Sequence, residues 1–78
     1  MTDQELIQLF ANALVIDPDL IRPERPIAEY RKWDSLGWLI VNSLLDERLG
    51  FQLTAKEIRC CVTVQDAVDR VKAKASAE

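Results

Sequence analysis

The sequence predicts an all-α protein: a small four-helix bundle with a long first loop and a short third helix. Apolar residues recur at helical spacing in separate segments, helix-capping patterns precede several of them, and no convincing strand is found. The chain has 78 residues, which is the size of one domain. We place this domain at residues 2–74 and expect the polar tail, residues 75–78, to be disordered.

The first predicted helix is followed by the longest loop of the chain. The segment TDQELIQLFANAL places Leu6, Phe10, Ala13 and Leu14 on one helical face, and either Thr2 or Asp3 can cap its start. Residues 15–33 then contain all three prolines of the chain. A loop of this length is uncommon unless it is pinned or functional. The apolar residues available to pin it are Val15, Ile16, Leu20, Ile21, Ile27 and Tyr30.

Three further helices follow from local start and stop signals. The second begins at or just after Asp34 and runs to about Leu49, where Gly50 provides a stop. TAKE, at residues 54–57, is a capping box that starts the short third helix, and TVQD, at residues 63–66, is a looser version of it. The fourth helix should bury Val64, Ala67, Val68 and Val71. We predict a main core of Leu6, Phe10, Val41, Leu45, Leu49, Val64 and Val68.

Composition excludes several classes of function. The net charge of −3 argues against nucleic acid as the main ligand, because binding phosphates requires a basic face. No apolar run reaches the ~18 residues of a membrane span, and the N-terminus lacks the features of a signal peptide. We expect a cytoplasmic monomer. Adjacent Cys60 and Cys61, in a chain without histidine, predict reduced thiols, with at least Cys61 packed inside, and no metal site.

A serine stands at the start of the second helix, directly after an aspartate. If Asp34 caps the helix, Ser35 falls in the first turn, beside free backbone N–H groups and the positive end of the helix dipole. This environment favours a phosphate or phosphodiester. It does not favour a self-activated nucleophile, because the chain has no histidine and no nearby lysine on that face. Spacing alone leaves open whether Ser35 is a cap or a modification site.

The segment WDSLGWLIVNSLLDERLGFQLTAKEI resembles the acyl carrier protein family. The family signature is Asp-Ser-Leu at the start of the second helix, which Asp34, Ser35 and Leu36 match. LLDERLGFQL is similar to the acidic end of the family's second helix, and TVQDAVDRV to the opening of its last helix. Ile27 lies where the family has an apolar plug. The resemblance extends from about Glu5 to Val71, so residues 2–74 are interpreted as an acyl-carrier-like domain.

The resemblance implies that this chain is a carrier and not an enzyme. In the family, a phosphopantetheinyl transferase attaches 4′-phosphopantetheine from coenzyme A to the serine that Ser35 matches, using Mg²⁺ held mainly by that enzyme. The thiol of the arm then carries acyl groups as thioesters between acyl-loading and acyl-transfer enzymes. The family also sheathes its acyl chain between the helices.

The sequence departs from common fatty-acid carriers around the triplet. Gly37 and Ile40 occupy positions where those carriers have acidic residues, and the apolar run from Trp38 to Val41 is wider than one helical stripe. We predict a partner surface of Trp38, Leu39, Ile40, Asp46 and Glu47, flanked by the basic residues Arg22, Arg25, Arg31 and Lys32.

This surface favours a carrier from a specialised pathway, such as polyketide or other secondary-metabolite assembly. Two alternatives remain open. A glycine after the triplet is similar to some D-alanyl carriers, so the cargo could be an aminoacyl or peptidyl group. The chain could also be a helical interaction module without a prosthetic group, which docks a partner helix on its apolar surface.

Overall fold

The computed structural model describes residues 2–76, which form four α helices and no β strand. The predicted all-α bundle with a short third helix is therefore confirmed. The long first loop contains two short 3-10 turns, Pro18–Leu20 and Ile27–Glu29. The helices are α1 (Asp3–Leu14), α2 (Ser35–Leu49), α3 (Ala55–Arg59) and α4 (Val64–Ser76).

Local capping interactions fix the helix ends where the sequence predicts them. Thr2 and Glu5 form a capping box at α1, with Glu5 N 3.2 Å from Thr2 Oγ1. Thr54 and Glu57 form the same motif at α3. Gly50 ends α2 with a φ of 78°, a left-handed conformation that glycine adopts without steric cost. These signals act over three or four residues, so the sequence alone reveals them.

The last helix begins as predicted and extends further than predicted. The Asp66 backbone N–H donates to Thr63 Oγ1 at 3.1 Å, and the Thr63 N–H donates to the Asp66 carboxylate at 3.0 Å. Helix α4 continues to Ser76. Residues 75 and 76, which the sequence analysis assigned to a disordered tail, are therefore helical. The remaining tail residues, 77–78, lie outside the described part of the chain.

Backbone hydrogen bonds attach the long loop to the start of α4. The first N–H groups of any helix lack partners within it, and here carbonyl groups of the loop accept two of them. A third bond runs in the opposite direction. The pairs are Val64 N to Arg25 O (3.1 Å), Gln65 N to Pro23 O (2.9 Å) and Ile27 N to Val62 O (2.8 Å). Ile27 itself is buried, which agrees with the apolar plug expected there.

Most of the predicted core is confirmed. Of the seven residues named, Leu49 is wrong as a fully buried residue, because it is only half-buried at the margin of the core. Its position late in α2 leaves one side open to solvent. Several further residues are buried outside the predicted helical stripes, namely Leu9, Ala11, Trp33, Phe51 and Leu53.

Trp33 is the centre of an aromatic cluster between the loop, α1 and α2. Its side chain is 4% exposed. Its ring centroid lies 5.1 Å from that of Phe10, 5.3 Å from that of Trp38 and 6.1 Å from that of Tyr30. The Tyr30 hydroxyl donates to the Leu20 carbonyl at 2.9 Å, which fixes the ring against the loop. The cluster fills the interior immediately before α2 begins.

Gly37 allows the loop to approach α2 closely. It is buried, and a Cβ atom at this position would collide with the Lys32 carbonyl oxygen and lie 2.8 Å from Leu14 Cδ2. A glycine in the first turns of this helix therefore has a packing reason. Its lower helix propensity, about 1 kcal/mol relative to alanine, is the cost of that close contact.

Side-chain hydrogen bonds secure the segment around α3. The Asn42 amide, on α2, forms two bonds with the Leu53 backbone, at 3.1 and 3.0 Å. The Lys74 ammonium, on α4, donates to Glu57 at 2.8 Å and to the Gln52 carbonyl at 2.7 Å. The bonds from Lys74 and from the Thr54 backbone lower the pKa of Glu57 from 4.5 to about 2. This contribution to stability is present at neutral pH and is lost as the pH falls from about 4.5 towards 2.

We predict that Leu45→Ala leaves the protein largely unfolded at room temperature. Leu45 is fully buried, and truncating a buried leucine costs about 2–5 kcal/mol. A domain of this size has a comparable total stability of about 3–5 kcal/mol. Thermal denaturation followed by circular dichroism measures the effect. A cooperative melt close to that of the wild type would contradict the central place of Leu45 in the core.

We predict that Gly37→Ala destabilises the fold, although alanine is the better helix former. The added methyl group would be forced against the Lys32 carbonyl and Leu14, and overpacking of this kind costs about 1–3 kcal/mol. Urea denaturation of the variant and the wild type measures the difference. An increase in the free energy of unfolding, as propensity alone requires, would show that the loop moves away without cost.

Candidate functional site

Ser35 is the first residue of α2, and its side chain is exposed. The carboxylate of Asp34 caps the helix by accepting from the Gly37 N–H at 2.9 Å, and the Asp34 carbonyl accepts from the Trp38 N–H. Asp34 therefore performs the capping role. Within residues 2–76, no group is hydrogen-bonded to the Ser35 hydroxyl. The hydroxyl is available at the positive end of the helix dipole, beside the N–H groups of Ser35 and Leu36.

In the described part of the chain, no side chain is hydrogen-bonded to the Ser35 hydroxyl in a way that could activate it as a nucleophile. The chain has no histidine. The nearby Lys32 ammonium donates to the Val15 carbonyl, at the end of α1, over 3.3 Å. An exposed hydroxyl without a base suits a residue that another protein modifies, and the helix N-terminus suits a covalently attached phosphate.

The exposed face of α2 is apolar near Ser35 and acidic further along. Leu36, Leu39 and Ile40 are 63%, 66% and 41% exposed, and the helical repeat places them on one face. We call these three residues the apolar patch. Asp46 and Glu47 are exposed on the same side of the helix, about two turns later. Of the predicted partner surface, four residues therefore lie together on an accessible face.

Trp38 does not belong to this exposed face. It is half-buried, and its ring packs at 5.3 Å from that of Trp33. The prediction that Trp38 is part of the partner surface is therefore wrong. Apolar residues surround this part of α2 on every side, so the sequence does not reveal which way the helix faces. Leu36 lies on the exposed face instead of Trp38. It was predicted only as part of the signature triplet.

Gly37 also lies away from the exposed face. Because it is buried under the loop, this position could not present a charge to a partner in the present fold. Gly37 and Ile40 are the two positions at which common fatty-acid carriers have acidic residues. Of these two, Ile40 is exposed and changes the accessible surface. The contacts at Gly37 give this glycine a packing role, and an aminoacyl cargo stays an open alternative.

The predicted basic flank is exposed along the loop. Arg22, Arg25, Arg31 and Lys32 are all accessible. The Arg25 guanidinium lies 5.9 Å from the centroid of the Tyr30 ring, within range of a cation–π interaction. Of these four basic residues, Lys32 is nearest in the chain to Ser35, and it lines a groove together with Asp34. It therefore contributes most directly to the electrostatic environment of Ser35.

A shallow groove beside Ser35 was not predicted from the sequence. It has a volume of about 260 Å³ and lies between the end of α1 and the start of α2. No local pattern reveals it, because its walls come from segments about twenty residues apart. We call it the α1–α2 groove. Its walls include Ala13, Val15, Lys32, Asp34, Leu36 and Ile40.

The two adjacent cysteines differ in their surroundings. Cys60 is exposed and Cys61 is half-buried, with its Sγ donating to the Glu57 carbonyl at 3.3 Å. Burial raises the pKa of the Cys61 thiol, which makes it less reactive. Across residues 2–76, no cluster of three or more histidine, cysteine or carboxylate side chains could hold a metal ion. No helix in this range combines the length and the apolar character needed to cross a membrane.

Comparison with known proteins identifies a relative that aligns with nearly the whole chain. No protein-family model matches the chain. The acyl carrier protein of Thermosynechococcus vestitus is 30% identical over 81 aligned positions, which cover 99% of this chain and 100% of that protein. The four-helix architecture is consistent with this similarity over the whole length. This chain therefore belongs to the acyl carrier protein family, whose members are non-catalytic carriers.

Proposed function

We propose that this protein is a discrete acyl carrier in which Ser35 receives 4′-phosphopantetheine, and that it serves a specialised biosynthetic pathway. The observation that carries the proposal is the state of the Ser35 hydroxyl. It is exposed at the first position of a fifteen-residue helix, and Asp34 has already taken over the capping role. The same proposal places the carrier domain at residues 2–74 and the protein in the cytoplasm.

The residues around Ser35 fit a phosphodiester. The N–H groups of Ser35 and Leu36 and the dipole of α2 favour negative charge at this point. Lys32 adds a positive charge nearby, since it lines the groove next to Asp34. When bound, the prosthetic arm would supply a terminal thiol that carries acyl groups as thioesters. The chain's own part is to hold the attachment point at a rigid helix end.

Attachment requires a partner enzyme. The Ser35 oxygen becomes bonded to the pantetheine phosphorus as coenzyme A loses adenosine 3′,5′-bisphosphate. The hydroxyl proton must pass to a base of the phosphopantetheinyl transferase, because this chain has no histidine to accept it. Ser35 is thus a substrate of the transferase, and Asp34 and Leu36 define the helix start that presents it.

Partner enzymes are proposed to dock mainly by apolar contact. The apolar patch exposes two leucines and an isoleucine within five residues of Ser35. A surface of this kind is typical of a protein–protein contact. The acidic residues Asp46 and Glu47 lie further from Ser35 and would contribute at the margin of the interface. This balance supports a dedicated carrier, such as one for polyketide assembly, more than a housekeeping fatty-acid carrier.

We predict that Ser35 is the sole attachment site. Incubation with coenzyme A, Mg²⁺ and a broad-specificity transferase should increase the intact mass of the wild type by one arm, and Ser35→Ala should abolish the increase. The exposed hydroxyl at the helix start is the physical reason. Ser43→Ala is the matched control, because Ser43 is exposed on α2 but lies in the middle of the helix.

The intact masses of the wild type and of Ser35→Ala together decide whether Ser35 is the attachment site. Uptake of an arm by Ser35→Ala would disprove the assignment. A wild type that takes up no arm would favour the interaction module without a prosthetic group, for which the apolar patch alone would be the functional surface. In every case Ser35→Ala should keep a helical circular dichroism spectrum close to that of the wild type, because Asp34 remains as the cap.

We predict that the affinity for the native acyl-transfer partner changes little between low and moderate salt. Exposed charges are screened over about 10 Å at 0.1 M salt, whereas apolar burial, worth roughly 25 cal/mol per Å², is almost independent of salt. Ile40→Asp should weaken docking without unfolding the bundle, because Ile40 is 41% exposed. Isothermal titration at two salt concentrations measures both effects.

Ser43→Asp is the control for the added charge. Ser43 is exposed on the same face of α2, one turn after Ile40, and is not apolar. It should change the affinity much less than Ile40→Asp. Binding that collapses as salt rises, together with a harmless Ile40→Asp, would show instead that Asp46 and Glu47 carry recognition.

A further inference from the structure

The indole N–H of Trp33 is a buried donor without an acceptor. The side chain is 4% exposed, and within residues 2–76 its Nε1 is the only buried side-chain nitrogen or oxygen that lacks a hydrogen-bond partner. A buried polar group without a partner costs free energy, because it gives up its hydrogen bonds to water and gains none in return. Folded proteins keep few such groups, so this one calls for a physical explanation.

Two other polar side chains that reach into the bundle are paired. The Tyr30 hydroxyl, in the same aromatic cluster, donates to the Leu20 carbonyl and accepts from the Arg22 N–H, both at 2.9 Å. The Asn42 amide donates to the Leu53 carbonyl at 3.1 Å and accepts from the Leu53 N–H at 3.0 Å. The open N–H of Trp33 is therefore an exception in an interior whose polar groups otherwise have partners.

Trp33 lies close to the proposed attachment point, behind Trp38. It precedes Ser35 by two residues in the chain. Trp38 follows Ser35 by three residues on α2, so the helical repeat places the two within about 60° of each other around the axis. Trp38 is half-buried, and its ring centroid lies 5.3 Å from that of Trp33. A group attached to Ser35 that folds back along α2 therefore meets Trp38 first and Trp33 behind it.

The proposed tethered group carries the acceptors that the Trp33 N–H lacks. The 4′-phosphopantetheine arm contains amide carbonyl groups, a loaded arm adds a thioester carbonyl, and many acyl groups add a keto carbonyl. Each carbonyl oxygen can accept from an indole N–H, which is a donor only. In the low-dielectric interior such a bond is stronger than in water. A plain alkyl chain offers no acceptor.

We propose that the Trp33 indole N–H binds the tethered group, by donating a hydrogen bond to one of its carbonyl oxygens when that group folds back into the bundle beside Trp38. The inference rests on the proposed attachment of the arm to Ser35. Entry requires the Trp38 ring to move aside. An acceptor on the arm makes Trp33 a residue that holds every cargo in the same way, whereas a keto acceptor makes it a residue that favours oxygenated acyl groups over alkyl ones.

Nuclear magnetic resonance of four forms of the full chain tests the proposal: unmodified, carrying the free arm, and carrying octanoyl or 3-oxooctanoyl groups. Intact mass first establishes that each form is loaded. The chain has two tryptophans, so Trp33→Phe and Trp38→Phe assign the two indole N–H signals. A hydrogen bond to a carbonyl should move the Trp33 signal downfield and slow its exchange with solvent. A change that starts with the free arm, with octanoyl or only with 3-oxooctanoyl identifies the acceptor as an arm amide, the thioester or the keto group, respectively.

Thermal denaturation separates the N–H group from the aromatic ring that carries it. Trp33→Phe keeps a ring and removes the donor. Loading with the form that shifts the indole signal should raise the Tm of the wild type by roughly 4–8 °C more than that of Trp33→Phe, which is the effect of one net hydrogen bond in a domain of this size. Trp38→Phe is the matched control, because it retains the Trp33 donor and should keep most of the wild-type gain. If Trp33→Phe lacks a helical circular dichroism spectrum, the indole signals of the wild type decide.

The outcomes separate this inference from the proposed function. A Trp33 indole signal that stays unchanged in all three loaded forms would overturn the inference while the carrier role stands. Equal losses of the Tm gain in Trp33→Phe and Trp38→Phe would also overturn it, because aromatic packing would then account for the gain without the N–H group. Failure to load Ser35 would refute the proposed function and this inference with it.

Discussion

The burial of Trp33 determines where α2 begins, and most of the site depends on it. Trp33 packs against Phe10 of α1 and Trp38 of α2. Its side chain is therefore buried in the bundle, whereas the side chain of the next residue, Asp34, is exposed. Asp34 then caps the helix, and Ser35 follows at the edge of the bundle with its side chain in solvent. Gly37 completes the arrangement by admitting the Lys32 carbonyl close to the helix. The position of the serine is therefore set by packing behind it.

The long loop gains its order from α4. Its carbonyl groups at residues 23 and 25 accept the N–H groups that the start of α4 cannot use internally. One set of hydrogen bonds thus stabilises both a loop that contains three prolines and the start of the last helix. Because Ile27 is buried at the same junction, the loop adds to the apolar core. This addition matters because a small domain buries only a limited apolar area.

Helix α2 has apolar residues on both its inner and outer faces, and the two serve different ends. Val41 and Leu45 are fully buried and hold the helix in the bundle. The apolar patch on the opposite side remains exposed, beside the groove and the proposed attachment serine. A rigid helix therefore presents the serine, a docking surface and a shallow groove together. This combination suits the proposed role, in which partners dock on the protein next to a group attached to Ser35.

The sequence by itself determined the features that arise from neighbours a few residues apart. The caps at Asp34 and Thr54, the stop at Gly50 and the helix count all belong to this class, whereas the sequence left the cap of α1 open between Thr2 and Asp3. Only the tertiary structure decided that Trp38 packs inward while Leu36 faces outward, why residue 37 is glycine, and that a groove lies beside Ser35. The physical reason is that these features depend on contacts such as that between Gly37 and Leu14, which lie far apart in the chain. In addition, the first turns of α2 are apolar on every side and give no periodic signal of their orientation.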